Sequence, residues 1–254
     1  MPEPHCRLVA HALRQELGLG HGRVDPFAVL RDRGVVVVRH EVADDGNIDG
    51  SYRLVEDQAF VFINSKRPVV RQRFTAAHEL GHHELDAAAR RVDIVDVDVF
   101  GVTGVHRDMN HFAGAFLIDS MGARKLREKG LTGDALVAAT MAEFVVSLKA
   151  AAIELKYLRL ISEQECSDVI GRRDADDFRV GNFVAQFGLT MPADPVDAEE
   201  LDPAYLAFVK SRYERGGLNV TAVAAALRVN ESDAQQWLDR EGVKAPKPFE
   251  EDGF

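Results

Sequence analysis

The spacing of apolar residues in the first part of the chain changes from helical to strand-like and back to helical. A period of 3.6 residues indicates helices, whereas short runs of β-branched residues bounded by turn residues indicate strands. Breakers mark the boundaries, with Gly18 after the first helix and Asp25-Pro26 at the start of the second. The predicted elements are helices over 5–17 and 26–33, strands over 35–38, 48–55 and 59–64, and a helix over 68–88.

The rest of the chain is mostly helical in pattern. Residues 92–99 alternate between apolar residues and Asp, which fits either an edge strand or a solvated loop. Helical spacing returns over 107–120, 132–172 and 203–240, and the stretch 188–203 is rich in Pro and acidic residues. These changes predict a main domain over 1–172, a linker over 173–202, a helical unit over 203–242 and a loose tail over 243–254.

Composition and charge place the chain among soluble globular proteins. Its 254 residues can bury a sizeable core, and no apolar run approaches the ~20 residues of a membrane helix. The N-terminus lacks the basic start and apolar run of a secretory signal, and Cys6 and Cys166 are too few for a disulfide framework. We therefore expect a cytoplasmic protein without a membrane contact. The net charge of −10 also argues against a general nucleic-acid surface.

The predicted helix over 68–88 contains a His-Glu-x-x-His pattern, His78-Glu79-Leu80-Gly81-His82. Residues four apart on an α-helix lie about 40° apart around the axis and about 6 Å apart along it. The imidazoles of His78 and His82 therefore point the same way from successive turns, as two ligands of one metal ion must. Glu79 lies beside them, where its carboxylate is placed to act as a general base. This arrangement is typical of zinc peptidases and predicts a Zn²⁺ cofactor. The alternative is a helix whose histidines face solvent or are satisfied within the core.

A catalytic zinc site also needs a third protein ligand and one position open to water. The third ligand usually comes from a later helix that packs against the first. The carboxylate and imidazole side chains of residues 106–111 are therefore the candidates, and the residues alone do not choose among His106, Asp108 and His111.

Two stretches of the chain resemble the ImmA/IrrE family of metallopeptidases. The first is Arg71-Gln72-Arg73-Phe74-Thr75-Ala76-Ala77-His78-Glu79-Leu80-Gly81-His82, preceded by the strand Phe60-Val61-Phe62-Ile63-Asn64. The second, residues 108–119, is similar to the family pattern Glu-Ala-Asn-x-Phe-Ala-x-x-Leu-Leu-Met-Pro. With Phe144-Val145-Val146-Ser147 and the helix after it, the likeness covers roughly residues 5–165.

The resemblance implies a fold of the α+β class. This would be a zincin-like metallopeptidase domain, in which a small antiparallel or mixed sheet packs on the His-Glu-x-x-His helix and further helices, with a C-terminal helical unit. In that family the Glu before Ala-Asn ligates the metal, and the matching residue here is Asp108. The implied ligand set is His78, His82 and Asp108, with His106 or His111 as alternatives to Asp108.

Other polar residues are candidates for assisting the reaction or for orienting the ligands. The oxyanion needs a hydrogen-bond donor, and the candidates are Tyr52, His83, His106 and His111. Asp86 would accept from the outer nitrogen of a ligand imidazole, or would be a plain solvated charge. Residues 50–54 form either the strand that edges the substrate cleft or an ordinary sheet strand. Ile118-Asp119 stands where the family has Met-Pro, which concerns the shape of that cleft.

The resemblance also implies a protein substrate, a helix-turn-helix transcriptional repressor that is cut during stress response or mobile-element control. The region 203–240 itself looks like a small helix-turn-helix-type unit, for which DNA binding is one interpretation. Acidic residues outnumber basic ones over 194–241, however, whereas phosphate contacts need a basic face. We therefore expect a packing or partner-docking unit without direct DNA binding.

Two functions from different classes follow. The first is a zinc endopeptidase that acts on a regulator, and the intact His78, Glu79 and His82 favour it. The second is a non-catalytic regulator, or anti-repressor, that keeps the peptidase fold and acts by binding its partner. The departures at Asp108 and Ile118-Asp119 leave room for this second function.

Overall fold

The computed structural model describes residues 4–41, 48–55, 57–86, 94–96, 104–173, 179–192 and 201–244. The chain divides into two compact units, Met1–Glu199 and Glu200–Phe254. The first unit holds the sheet and the His-Glu-x-x-His helix, and the second is helical throughout the part that the structure describes. The predicted α+β class is therefore confirmed.

The sheet of the first unit is mixed, as the resemblance implied. Its strands are β1 (Val36–His40), β2 (Gly50–Val55), β3 (Gln58–Asn64) and β4 (Ile94–Asp96), in the spatial order β1-β3-β2-β4. β1 runs parallel to β3, whereas β2 is antiparallel to both β3 and β4. Because β4 pairs with β2 from Gly50 to Tyr52, this part of β2 is an interior strand. It therefore does not offer a backbone edge to which a substrate strand can be added.

Helices make up most of the first unit. They are α1 (His5–Glu16), α2 (Pro26–Asp32), α3 (Val69–Asp86), α4 (Gly104–Leu117), α5 (Ser120–Glu128), α6 (Gly133–Phe144), α7 (Leu148–Tyr157), α8 (Glu163–Arg173) and α9 (Val180–Ala185). α3 packs on β2 and β3 on one side and on α4 on another. Among the described residues no single helix has the length and apolar character to cross a bilayer; α6 and α7 reach that standard only as a pair, across a bend of 113°.

Two boundaries differ from the sequence expectation for local physical reasons. The helix predicted over 107–120 ends at Leu117, because the Asp119 carboxylate accepts from the Gly122 backbone N–H at 2.7 Å and caps α5. Asp119 is thus the N-cap of α5. Of the stretch 92–99, β4 is a strand, and the rest lies outside the described residues.

The first unit extends past the predicted boundary at residue 172. α9 falls inside the stretch 173–202 that was expected to be a linker, yet Phe183 and Val184 are buried in the core of this unit. A six-residue helix with two buried apolar side chains leaves little periodic signal in a sequence. The Pro and acidic residues nearby therefore led to the prediction of a linker.

The second unit contains three short helices. They are α10 (Pro203–Glu214), α11 (Val220–Leu227) and α12 (Glu231–Arg240). Each begins at a side-chain cap, Asp202, Asn219 or Asn230, whose oxygen accepts a backbone N–H at 2.8–2.9 Å. Their common core contains Val209, Tyr213, Val223, Ala224, Ala234 and Leu238. Beyond Lys244 the predicted tail lies outside the described residues.

Three consecutive polar side chains fix α3 to its surroundings. Arg71 pairs with the fully buried carboxylate of Asp49, next to the start of β2. Gln72 accepts from Arg39 of β1 at 2.9 Å and donates to the carbonyl of Arg67 at 2.7 Å. Arg73 donates to the carbonyl of Val24. Asp49, Gln72 and Arg73 are buried, so their bonds offset a desolvation cost and fix where α3 begins.

α3 and α4 approach each other closely at Gly81. A Cβ added there would lie 2.9 Å from Met109 Sδ and 3.1 Å from the Phe112 ring. Such distances are too short for ordinary packing. A larger residue at position 81 would therefore push α4 away from α3.

We expect Gly81→Ala to destabilise the first unit by about 1–3 kcal/mol, because the added methyl overpacks the contact with Phe112. Gly171→Ala is the matched control. Gly171 lies in α8 with nothing within 4 Å of an added Cβ, so helix propensity should make this change stabilising by up to about 1 kcal/mol. Urea unfolding of both variants measures the difference. A Gly81→Ala variant as stable as the Gly171→Ala variant would contradict the close approach.

Candidate metal centre

Three imidazoles from two helices meet in the first unit. His78 and His82 project from successive turns of α3, and His106 comes from the first turn of α4. One ring nitrogen from each lies within 4.8 Å of those of the other two. The ring centroids are 5.0 Å apart for His78 and His82, and 5.9 Å apart for His78 and His106. The structure thus brings together the predicted pair and one of the alternative third ligands.

A hydrogen bond from α4 orients His78. Its Nδ1 lies 3.0 Å from Oδ1 of Asn110. Because a carbonyl oxygen only accepts, Nδ1 carries the proton, and the lone pair of the neutral ring is on Nε2. Metal-bound histidines are commonly held through their outer nitrogen in this way. Asn110 was not among the predicted site residues, although it lies four residues after His106 and hence on the same face of α4.

Glu79 lies beneath the sheet strand that covers α3. Its side chain is fully buried, and a Cβ at residue 50 would come within 2.9 Å of Glu79 Oε1. Only glycine at position 50 allows β2 to pass this close to the carboxylate. The pairing of Asp49 with Arg71, described above, holds the start of β2 at that position.

Asp108 and His111 lie on another face of α4. Asp108 is exposed and lines a cleft together with Arg107 and His111. On a helix, residues 106 and 110 lie about 40° apart, whereas residue 108 is turned by about 160–200° from both. Within the described residues, the group of side chains placed to hold a metal ion contains His106 and not Asp108. The structure therefore does not bring the favoured third ligand to the histidine pair.

Tyr52 and His83 form a separate pair, in which His83 directly follows the cluster residue His82 in the sequence. The Tyr52 hydroxyl lies 3.2 Å from Nδ1 of His83, and Tyr52 itself is buried in β2. Burial, together with the nearby Arg33 charge, lowers the pKa of His83, so its ring is neutral at pH 7. The side chain of Asp86, the last residue of α3, lies outside the described residues.

The donor set fits a divalent metal ion. His78 and His82 are fully buried, whereas His106 is half-buried, so the cluster approaches the surface on the side of α4. Three imidazoles are ligands that zinc accepts in catalytic sites with one position left for water. The Asn110 contact supplies the outer hydrogen bond that such ligands usually make.

We expect Asn110→Ala to weaken metal binding about 10–100-fold, because His78 loses the bond that fixes its ring and its tautomer. Competition with a chelator measures the affinity. His111→Ala is the matched control, since it changes the next residue of the same helix on the face that lines the cleft. Equal affinities for the two variants would show that Asn110 does not position the ligand.

Comparisons with known proteins agree with this geometry. A family model, the IrrE N-terminal-like domain, matches residues 31–156. The matched span begins in α2 and ends in α7, and so contains the sheet, α3 and α4. A search of curated proteins gives no match. The predicted family is confirmed: through residues 31–156, which carry all three histidines, this chain is a member of the ImmA/IrrE family of peptidases.

Proposed function

We propose that this protein is a zinc-dependent endopeptidase. The observation that carries the proposal is the meeting of three imidazoles around one point. His78 and His82 come from α3, which also presents Glu79, and His106 comes from α4. The family is one of metallopeptidases, which supports hydrolysis of a peptide bond as the type of reaction. The identity of the metal as zinc rests on the nitrogen donor set.

His78, His82 and His106 would hold the metal. His106 replaces Asp108 in this assignment because Asp108 is exposed and faces the cleft of Arg107 and His111. Moving the Asp108 carboxylate to the histidines would require α4 to rotate, and the tight contact of Gly81 with Phe112 opposes that rotation. When bound, zinc lowers the pKa of a coordinated water and polarises the carbonyl that is attacked.

Glu79 would move the proton. Its carboxylate takes a proton from the attacking water and passes it to the leaving amine. Gly50 of β2 lies close above this carboxylate and limits where it can move. Tyr52 and His83 are the candidates for donating to the oxyanion, and their mutual hydrogen bond orients both side chains.

The substrate we propose is a helix-turn-helix transcriptional repressor, cut in the cytoplasm to relieve repression. Support comes from membership of the ImmA/IrrE family, and the free, buried thiols of Cys6 and Cys166 agree with a reducing compartment. For the second unit we propose partner docking or packing. Its excess of acidic residues argues against DNA contacts.

A second candidate is a regulator that binds its partner without cutting it. The complete burial of His78, Glu79 and His82 favours this function, because a hydrolase has to admit water and a peptide to the carboxylate. The two candidates share the fold and the metal, and they differ in whether Glu79 does chemistry.

We expect Glu79→Gln to retain stoichiometric metal and to slow cleavage of a co-purified helix-turn-helix repressor by at least about 100-fold, because the amide does not accept the proton. Glu84→Gln is the matched control, since Glu84 lies in the same helix and pairs with Arg33 at 3.0 Å. The non-catalytic candidate predicts that the wild type and both variants bind the repressor equally and leave it intact. That outcome would refute the endopeptidase.

Metal content of two single variants tests the ligand assignment. His106→Ala should lose stoichiometric zinc, since the site drops to two protein ligands, whereas Asp108→Ala should retain it. Elemental analysis of the purified chains gives the ratio of metal to protein, and circular dichroism checks that both variants are folded. Loss of zinc only in Asp108→Ala would restore the original assignment.

A further inference from the structure

A second concave site lies in the first unit, on another face of the helix that carries His106. It is a cleft of about 970 Å³, within the range of sites that hold small molecules. α4 contributes Arg107, Asp108 and His111, and α5 contributes Arg124. Arg159, just after α7, completes a set of three guanidinium groups around the cleft. Nothing in the proposed peptidase reaction uses these side chains.

The cleft is positively charged in a strongly acidic protein. Its lining includes three arginines and a single acidic residue, Asp108, although the whole chain carries a net charge of −10. Among the described residues, no acidic side chain lies within ion-pair distance of Arg107, Arg124 or Arg159. A concave site lined by one sign of charge concentrates the field and attracts ions of the opposite sign.

The positive charge of the cleft is permanent at neutral pH. Guanidinium groups stay protonated at any pH the protein meets. Burial, with the charge of Arg7, lowers the pKa of His111, so that its ring is neutral at pH 7 and adds no charge.

The end of α7 places Arg159 at the cleft. Arg159 adopts a left-handed conformation, with φ of 59°, directly after Leu158, the C-cap of α7. Glycine is the residue that takes this position at least cost. The same conformation ends α6 at Val145 and α11 at Arg228, and at Arg159 it leaves the side chain among those that line the cleft.

We propose that this cleft binds a small molecule that carries phosphate groups. Several guanidinium forks around one concavity match the many acceptor oxygens of a phosphate or diphosphate better than the two oxygens of a single carboxylate. An extended nucleic acid is disfavoured, because the acidic remainder of the chain would repel a long polyanion. The ligand would bind on a face of α4 away from His106 and would leave the metal accessible.

Isothermal titration calorimetry of the full-length, metal-loaded protein tests the proposal with three probes: inorganic pyrophosphate, ADP and adenosine. Pyrophosphate and ADP should bind, whereas adenosine should not. A tighter Kd for ADP than for pyrophosphate would show that the cleft also reads the nucleoside, and equal values would show that it reads phosphate alone. Absence of binding by both phosphate compounds at millimolar concentration overturns the proposal.

Arginine variants locate the binding. Arg107→Gln and Arg124→Gln should each weaken binding about tenfold or more, because each removes a charge-assisted hydrogen bond. Both residues are exposed, so their substitution should leave unfolding unchanged. Arg23→Gln, an equal loss of charge at an exposed residue between α1 and α2, is the matched control. Binding that survives in the double variant, with both Arg107→Gln and Arg124→Gln, would belong to the metal or to another surface. That result would also overturn the proposal. The readout does not involve cleavage, so it is independent of the endopeptidase.

Discussion

The contact between α3 and α4 at Gly81 is the constraint on which the site depends. Without a side chain at position 81, α4 lies directly against α3, with Met109 and Phe112 filling the contact. Only at this separation do His106 and Asn110 reach the two histidines of α3. The glycine within the His-Glu-x-x-His pattern thus has a geometric role, and the two histidines and the glutamate have the chemical ones.

Buried polar contacts fix α3 on its other sides. Arg71, Gln72 and Arg73 tie its first turns to β2, to β1 and to the segment before α2. These bonds are expensive to break, since each would leave a buried charge or amide unsatisfied. The Asp49 contact has a further consequence, because it holds Gly50 of β2 over the Glu79 carboxylate. The stretch that resembles the family therefore contains residues that fix α3 in place as well as residues that would bind the metal.

α4 serves two sites with one set of turns. His106 and Asn110 face the metal centre, whereas Arg107, Asp108 and His111 face the basic cleft. Successive residues of a helix are turned by 100° around its axis, so neighbouring residues can face different sites. Because of this rotation, Asp108 faces the cleft when His106 faces the metal centre.

The sequence predicted the class of fold, the family and the helical pair of histidines, because all three depend on local periodicity or on a short pattern. It did not select His106, since the pattern aligned with residue 108 and the orientation of α4 is decided by its packing on Gly81. The four-residue spacing of His106 and Asn110 was the available signal for that orientation. α9 was missed because Phe183 and Val184 are buried by contacts with distant helices rather than by a pattern of their own.

X-ray absorption spectroscopy at the zinc edge of the purified, zinc-loaded protein tests the central claim most directly. The scattering of imidazole rings is distinctive, and Zn–N distances lie at about 2.0–2.1 Å. We expect a shell with three histidine rings and one oxygen from water. A shell with two rings and a carboxylate would contradict the orientation of α4 on which the site is built.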